Sequence, residues 1–287
     1  MRCAWRKRPE FLREMSWWKN LFSGRPATPV PAEPIPLPPA VIDESAKPGL
    51  PPERPLAELQ GLIRSFARPA WLPLTVDADH GALASKFGGL GLVSASHPGP
   101  VCPGCQQPMP LFVQLNPADL PAEMAPRLQG QLLQLYYCPN ECDDGFLPFS
   151  SSSVVRLVPP AEPPAAGAVA ESLPAKTIVG WRAVADYPHW EEWPTIGLTL
   201  TLDEGVRLEQ ESAEPLLPAH QDKLGGWPHW VQAPDYPACP ECHEPMQVLF
   251  QLTSEEHLPY MFGDVGTGHI SQCARHLPVL AFGWACH

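Results

Sequence analysis

Two short-spaced pairs of cysteines lie in the first half of the chain. Two residues separate Cys102 from Cys105, and three separate Cys138 from Cys142. A short spacer holds two thiolates within a few ångströms of each other, and a second pair elsewhere completes a tetrahedral shell. Soft sulfur ligands favour zinc over calcium or magnesium. The spacing therefore predicts a four-cysteine Zn²⁺ site.

A second set of potential metal ligands lies in the second half. Cys239 and Cys242 repeat the two-residue spacing, and Cys273 is followed after two residues by His276. Three sulfurs and one imidazole also form a structural zinc shell. Cys286 is a rival for the fourth position, because it too follows an apolar run. We predict a second structural Zn²⁺, with His276 preferred as the fourth ligand and Cys286 as the alternative.

A metal with four protein ligands has no open position for water, so it contributes to folding rather than to hydrolysis. The sequence also contains no nucleophile elbow, P-loop, dinucleotide fingerprint or His-Glu-x-x-His motif. Two alternatives to a non-catalytic protein stay open. The Cys-Pro-Gly-Cys spacing at 102–105 also occurs in thiol redox proteins. The second site would have an open position for catalysis if neither candidate for the fourth ligand joined it.

The chain repeats itself at an offset of 137 residues. Segment 86–115 aligns with 223–252 without a gap, and 11 of the 30 positions are identical. A single fixed offset would match about two of them by chance. Both copies contain Lys-x-Gly-Gly, Cys-Pro-x-Cys, Pro-Met and Gln-Leu in register. We call each Cys-Pro-x-Cys turn a knuckle.

Proline-rich segments suggest where the copies begin and end. The sequence has 40 prolines, and proline cannot donate a hydrogen bond to a helix or a sheet ladder. We predict an N-terminal segment and Pro-rich tether at 1–55, a first module at 56–158, a linker at 159–175 and a second module at 176–287. Met15 is a candidate for the true start of the chain.

The elements that must position the ligands are mainly strands. Short apolar runs that follow a proline or lead into a cysteine favour buried strands over helices. Such runs occur at 111–115, 132–137, 248–252, 269–272 and 279–284, while the best helix candidate is 56–66. The sequence therefore predicts a β-rich α+β fold, an internally duplicated module in which each copy carries a cysteine zinc knuckle.

Two polar residues recur inside the repeat. Lys86 and Lys223 precede the paired glycines, and we interpret them as turn lysines that cap strand-end carbonyls. Gln114 and Gln251 lie within apolar strands. A buried amide must be hydrogen-bonded, so we expect each glutamine to be linked to the knuckle backbone.

Charge and hydropathy exclude several kinds of partner. The net charge is −12 and the pI about 5.2, whereas proteins that bind nucleic acid through its phosphates need a basic face. No stretch approaches the roughly 20 apolar residues of a membrane span, and the N-terminus lacks the apolar core of a secretory signal. We expect a cytoplasmic protein with no membrane contact and no direct nucleic-acid contact. The sequence makes no prediction about oligomeric state.

Ser-Lys-Phe-Gly-Gly at 85–89, the first knuckle, Pro-Met and the following Phe-Val-Gln-Leu strand resemble the YwqG-like superfamily, which includes programmed cell death protein 2 and its relatives. The resemblance covers roughly 70–158 and 176–287, and it implies a β-dominated, duplicated fold. Its eukaryotic members act as chaperones of a small-subunit ribosomal protein, and some bacterial members serve as immunity proteins against toxins. Many members lack the cysteines. The resemblance implies no catalytic residue.

The function expected from these observations is a non-catalytic, zinc-stabilised module that binds another protein. Its acidity would attract a basic client at long range, such as a ribosomal protein or a basic toxin. The alternative is a thiol redox protein that uses the knuckle cysteines, or an enzyme with an open zinc site in the second module.

Overall fold

The computed structural model describes residues 53–140, 142, 145–161 and 173–287. Nearly all of the predicted 1–55 segment, including Met15, and most of the predicted linker lie outside these ranges. Three α-helices are described: α1 (Leu56–Arg64), α2 (Trp193–Ile196) and α3 (Leu202–Glu211). Helix α1 confirms the helix predicted at 56–66. No helix in the described ranges combines the length and the apolarity needed to cross a bilayer.

The described residues form ten β-strands, and the runs predicted as strands are all among them. The strands are β1 (Arg68–Val76), β2 (Lys86–Phe87), β3 (Leu111–Leu115), β4 (Leu132–Tyr137), β5 (Ser153–Val158), β6 (Lys176–Asp186), β7 (Lys223–Gly225), β8 (Gln247–Thr253), β9 (Thr267–Gln272) and β10 (Leu280–Ala285). Three short 3₁₀ turns accompany them, at Pro117–Asp119, Ala125–Leu128 and Trp190–Glu192.

The ten strands belong to one antiparallel sheet in the order β10-β9-β8-β7-β1-β6-β2-β3-β4-β5. The two end strands, β5 and β10, contact each other. Near this seam the backbone N–H of Trp284 donates to the carbonyl of Phe146, and its indole N–H donates to the Tyr137 hydroxyl over 2.8 Å. The fold is therefore mostly β, a nearly closed antiparallel barrel with few helices.

The strand order is symmetrical about the central β1–β6 pair. Strands β2 to β5 follow β6 on one side, and β7 to β10 follow β1 on the other. The long first strand of each half, β1 or β6, therefore pairs with a strand from the other half of the sequence: β1 pairs with β7, and β6 pairs with β2. The predicted modules at 56–158 and 176–287 stay predictions, because their strands are hydrogen-bonded into a single sheet.

The main core lies inside the barrel. Because side chains alternate between the two faces of a strand, one face of each strand supplies the core and the other faces outward. Phenylalanines and leucines from both halves of the barrel fill it, among them Phe87, Phe112, Phe250 and Phe282. A separate apolar cluster packs α1 and α3 together through Leu59, Ile63 and Leu208. A capping box at Thr201 and Glu204 fixes the start of α3.

Candidate metal centres

The structure brings together all four ligands predicted for the first site. Cys102 and Cys105 lie in the first knuckle, Cys138 directly follows β4, and Cys142 lies four residues further on. One donor atom from each lies within 4.8 Å of all the others. The Sγ of Cys138 is 3.5 Å from that of Cys105 and 3.6 Å from that of Cys142.

The second predicted set is also assembled, with His276 as its fourth member. Cys239, Cys242, Cys273 and His276 form a group of the same size. The Nδ1 atom of His276 is 3.7 Å from the sulfurs of both Cys239 and Cys273, and the sulfurs of Cys242 and Cys273 are 3.6 Å apart. Its other ring nitrogen, Nε2, lies 3.6 Å from a carboxylate oxygen of Glu241.

The rival ligand, Cys286, lies elsewhere. It is fully buried and is not part of the cysteine–histidine group. Its surroundings include Gly263, where an added Cβ would come within 2.6 Å of the Cys286 sulfur. The position follows from strand register: β10 runs beside β9 and ends at the opposite end of that strand from Cys273. Of the two candidates, the geometry favours His276 as the fourth ligand.

The two knuckles have the same backbone conformation. In each, the first cysteine accepts a hydrogen bond from the residue four positions later and donates to the carbonyl of the residue five positions later. The residue after the second cysteine, Gln106 or His243, has a positive φ of about 60°. Residues other than glycine rarely adopt this backbone conformation. Its occurrence in both knuckles shows that the same tight turn positions both cysteine pairs.

The separations between donor atoms fit a tetrahedral zinc. Zn–S bonds of about 2.3 Å place two sulfurs about 3.8 Å apart, and a Zn–N bond of about 2.0–2.1 Å places nitrogen and sulfur about 3.6 Å apart. The sulfur pairs at 3.5–3.6 Å and the nitrogen–sulfur pairs at 3.7 Å are close to these values. A disulfide needs sulfurs about 2 Å apart. The contact between Glu241 and His276 matches the carboxylate that commonly orients a metal-bound histidine.

Hydrogen bonds to sulfur favour thiolate at one position in each cluster. The side-chain N–H of Asn140 and the backbone near Gln107 lower the pKa of Cys105 to about 6. Burial would raise the pKa of Cys273, but the backbone N–H groups of His276 and Arg275 donate to its sulfur, so that its pKa is about 6. Burial raises the pKa of Cys142 to about 11. Four crowded thiols cannot all ionise without a cation between them.

The two lysines of the repeat occupy buried ion pairs, which the sequence did not indicate. Lys86 donates to Asp79 and Lys223 to Asp186, each over 2.8 Å, and both lysine side chains are almost completely buried. Lys86 also donates to the carbonyl of Gly81. The interpretation as carbonyl-capping turn lysines is thus incomplete. The missed signal is an aspartate near the end of the first strand of each half: Asp79 lies just beyond β1, and Asp186 is the last residue of β6.

The two repeated glutamines are buried and hydrogen-bonded, as predicted, but not to the knuckles. The side-chain amide of Gln114 donates to the carbonyls of Ala82 and Ala84, and that of Gln251 to the carbonyls of Ala219 and Gln221. These carbonyls belong to the segments that precede the Lys-x-Gly-Gly turns. The expected link to the knuckle backbone is wrong, because residues just before the aligned repeat supply the carbonyl acceptors of both amide groups.

A third group of potential metal ligands, Asp222, Glu256 and His257, was missed. The Asp222 backbone N–H donates to Glu256, and His257 Nδ1 lies 2.8 Å from an Asp222 carboxylate oxygen. At the 137-residue offset these positions correspond to Ser85, Asp119 and Leu120. Aligning the copies beyond their identical residues would have revealed the change from serine to aspartate. Asp222 thus contacts both Glu256 and His257.

Residues 85–277, about two thirds of the sequence, match the family described as Domain of unknown function (DUF1963). A relative, the Uncharacterized protein YpfL of Salmonella typhimurium, is 42% identical over 65 residues. That alignment spans 23% of this chain and 15% of the relative. The match over residues 85–277 places the chain in the DUF1963 family.

Proposed function

We propose that the protein is a non-catalytic binding module for a basic polypeptide, and that two structural Zn²⁺ ions stabilise it. The observation that supports this most strongly is the pair of four-ligand clusters, with donor atoms at the separations of a tetrahedral shell. Zinc held in this way would tie each knuckle to the strand that follows it in the repeat. Its coordination energy would then contribute to folding.

The assignment of His276 argues against the alternative of an open, catalytic zinc in the second half. With three cysteines and one histidine the shell of a bound zinc would be complete, and no position would be left for water or substrate. The redox alternative needs two thiols that are free to form a disulfide. In each knuckle, both cysteines belong to a four-ligand group in which every donor atom has three close neighbours.

The basic client is proposed on the basis of charge. The chain carries a net charge of −12, and an acidic surface increases the rate at which a basic partner is encountered. The resemblance to YwqG-like proteins and to programmed cell death protein 2 agrees with this proposal, because those relatives include chaperones of a ribosomal protein and immunity proteins. A ribosomal protein and a basic toxin are therefore the client classes to test.

The first experiment measures zinc per chain in full-length protein purified without chelator, together with the number of thiols that react under native conditions. We expect about two zincs per chain, and we expect the seven cysteine thiols of the two clusters to be protected until a chelator is added. No metal and freely reactive knuckle thiols would overturn the structural-zinc proposal.

The second experiment tests binding. Full-length protein is used as bait, and recovered proteins are compared with those held by a sample unfolded by chelation. A specific basic protein should be enriched only by the folded bait. Recovery of the same background proteins by both samples would contradict the binding function.

A further inference from the structure

Each half of the barrel carries a row of polar side chains on the face opposite the main core. The first polar row is Lys86, Gln114, Gln134 and Arg156, which face each other across β2, β3, β4 and β5. The second polar row is Lys223, Gln251, His269 and Gly283, on β7, β8, β9 and β10. The two rows match position by position, but they end differently: one in arginine and the other in glycine.

Arg156 completes the first polar row. Its Nε donates to the Gln134 side-chain oxygen over 3.0 Å, and its terminal nitrogens donate to the carbonyls of Pro98 and His97. Its guanidinium carbon also lies 5.1 Å from the centre of the Tyr136 ring. A loop at His97 and Pro98, an aromatic ring and the row itself thus hold one planar cation.

The second polar row has a cavity where the first has Arg156. Gly283 pairs with His269 as Arg156 pairs with Gln134, but it has no side chain to extend over the row. A cavity of about 40 Å³ lies there, lined by Trp230, Asp235, His269, Ser271, Gly283 and Trp284, among others. At about 10–15 Å³ for each water position, this volume accommodates about three to four non-hydrogen atoms.

The wall of the cavity is the counterpart of the loop that binds Arg156. At the 137-residue offset, Pro98 corresponds to Asp235. The loops are anchored alike: the backbone N–H of Leu92 donates to Gln114, and that of His229 to Gln251. Asp235 lines the cavity and is solvent-exposed, so the cavity is reached from that side. Asp235 adds a carboxylate that proline cannot provide.

His269 takes the place of Gln134 and has an unused acceptor. Its ring is hydrogen-bonded to the backbone of His229, and among the described residues its Nε2 is buried without a partner. Burial, with Lys223 and His229 nearby, lowers the pKa of His269 to about 3. The ring is therefore neutral at physiological pH, and the nitrogen without a partner carries a lone pair. A buried acceptor of this kind favours a ligand that brings an N–H donor.

We propose that this cavity is a guanidinium site that takes the end of an arginine side chain from a partner polypeptide. The arginine would donate to His269 Nε2 and to Asp235, and its plane would lie against Trp230 or Trp284, as Arg156 does with Gln134 and Tyr136 in the first row. Lysine fits less well, because it lacks the planar fork and stacks less on aromatic rings. The inference rests on the proposed function, since it names one chemical group of the basic client.

The test titrates full-length protein with N-acetyl-arginine methylamide and follows heat release by calorimetry. The lysine amide and the neutral, isosteric citrulline amide are titrated in parallel, and free L-arginine distinguishes a free amino acid from an arginine within a chain. We expect the arginine amide to bind at about one site per chain, at least about tenfold more tightly than the citrulline amide. Equal binding of the arginine, lysine and citrulline amides would overturn the guanidinium assignment, and tighter binding of free L-arginine would overturn the polypeptide source.

Two variants change the number of sites in opposite directions. Gly283→Arg supplies the missing side chain and should abolish binding, whereas Gly283→Ala keeps most of the cavity and should still bind. An added Cβ at Gly283 would lie 3.1 Å from the carbonyl oxygen of Phe146, so the alanine variant also reports the cost of this close contact. Arg156→Gly should open an equivalent cavity in the first row and raise the count to about two sites per chain.

Failure of this inference can be distinguished from failure of the proposed function. If the wild-type protein and Gly283→Arg retain a client equally well, the protein binds but does not use this cavity, and the guanidinium inference is wrong. If no client is retained by either but the arginine amide still binds as expected, the cavity is confirmed and the client proposal is wrong. Circular dichroism of each variant verifies that it is folded.

Discussion

The two lysines of the repeat form the same ion pair in different surroundings. Lys223 and Asp186 are both about 1% exposed, whereas Lys86 is paired with an Asp79 side chain that is 38% exposed. Asp186 also accepts hydrogen bonds from the backbone N–H groups of Ala219 and Trp227. Removal of the cation would thus leave a buried carboxylate in one half of the barrel and a partly hydrated one in the other.

We predict that Lys223→Met lowers the free energy of unfolding by about 3–5 kcal/mol, because it leaves an uncompensated buried charge. Lys86→Met is the matched control and should cost clearly less, since water reaches Asp79. Chemical denaturation of both variants measures the difference. Equal losses would show that exposure of the carboxylate does not determine the cost.

We expect the Asp222–Glu256–His257 group to make the stability of the protein depend on pH. Burial, and next the charge of Asp222, raise the pKa of Glu256 to about 7, whereas an unfolded glutamate titrates near 4.3. The folded state therefore binds a proton that the unfolded chain has lost. This contribution to stability is complete below about pH 4 and is lost as the pH rises through about 7.

We predict that the free energy of unfolding decreases by about 1–2 kcal/mol between about pH 5 and pH 8, a figure reduced from the full shift because Glu256 is partly exposed. Glu256→Gln keeps an acceptor for the Asp222 backbone and should flatten this dependence. Asp119→Asn changes the equivalent position beside Ser85, where no second carboxylate is present, and should leave the dependence unchanged. Denaturant midpoints measured across this pH range provide the comparison.

Each cysteine cluster joins a knuckle to the end of a later strand, β4 in the first half and β9 in the second. The first two predicted ligands come from the knuckle before β3 or β8, the third directly follows β4 or β9, and the fourth lies in the loop just after it. Cys138 and Cys273 lie beside the knuckles because the antiparallel pairing of β4 with β3, and of β9 with β8, fixes where each strand ends. The clusters thus depend on local turns and on sheet register together.

The fourth ligand of the second cluster can be identified by counting metal ions. We predict that His276→Ala reduces the zinc content from about two per chain to about one, because three sulfurs alone leave the shell open. Cys286→Ser should retain about two, since Cys286 lies outside the group. Zinc analysis of the purified variants decides between His276 and Cys286 as the fourth ligand. Loss of a metal in Cys286→Ser alone would reverse the assignment.

The local pattern of residues was sufficient to predict many of the strands. The strands near residues 111, 132, 248, 269 and 280 could be predicted because short apolar runs beside proline leave few other structures. The grouping of the eight predicted ligands followed from their spacing. The partners of Lys223 and Gln251 could not be predicted, because Asp186 and the carbonyls of Ala219 and Gln221 are brought to them only by long-range strand pairing.

The central β1–β6 pair links the two halves of the barrel. The pairing extends from Arg68 with Asp186 to Val76 with Thr177, and each of the two strands also pairs with a short strand on its other side. Neither half of the sequence forms its part of the sheet without a strand from the other half. The described barrel should therefore unfold as one cooperative unit.

This arrangement predicts the result of cutting the chain between the halves. A protease site inserted within 162–172 should, after cleavage, yield two fragments that elute together as one folded particle, because the β1–β6 pairing holds them. The fragment 56–158 made by itself should lack stable structure by circular dichroism. Two fragments that separate and remain folded would show that the modules are independent.

The pairing of β1 with strands from the second half of the sequence also has a consequence during protein synthesis. β1 ends at Val76, but its partner β6 starts only at Lys176, about a hundred residues later, and β7 later still. At about 5–20 residues per second, β1 waits about 5–20 s for its first neighbour. During that interval its apolar side chains, Trp71 and Leu72, have no strand to pack beside. Newly made chains should therefore depend on general chaperones more than chains of equal length whose neighbouring strands are consecutive in sequence.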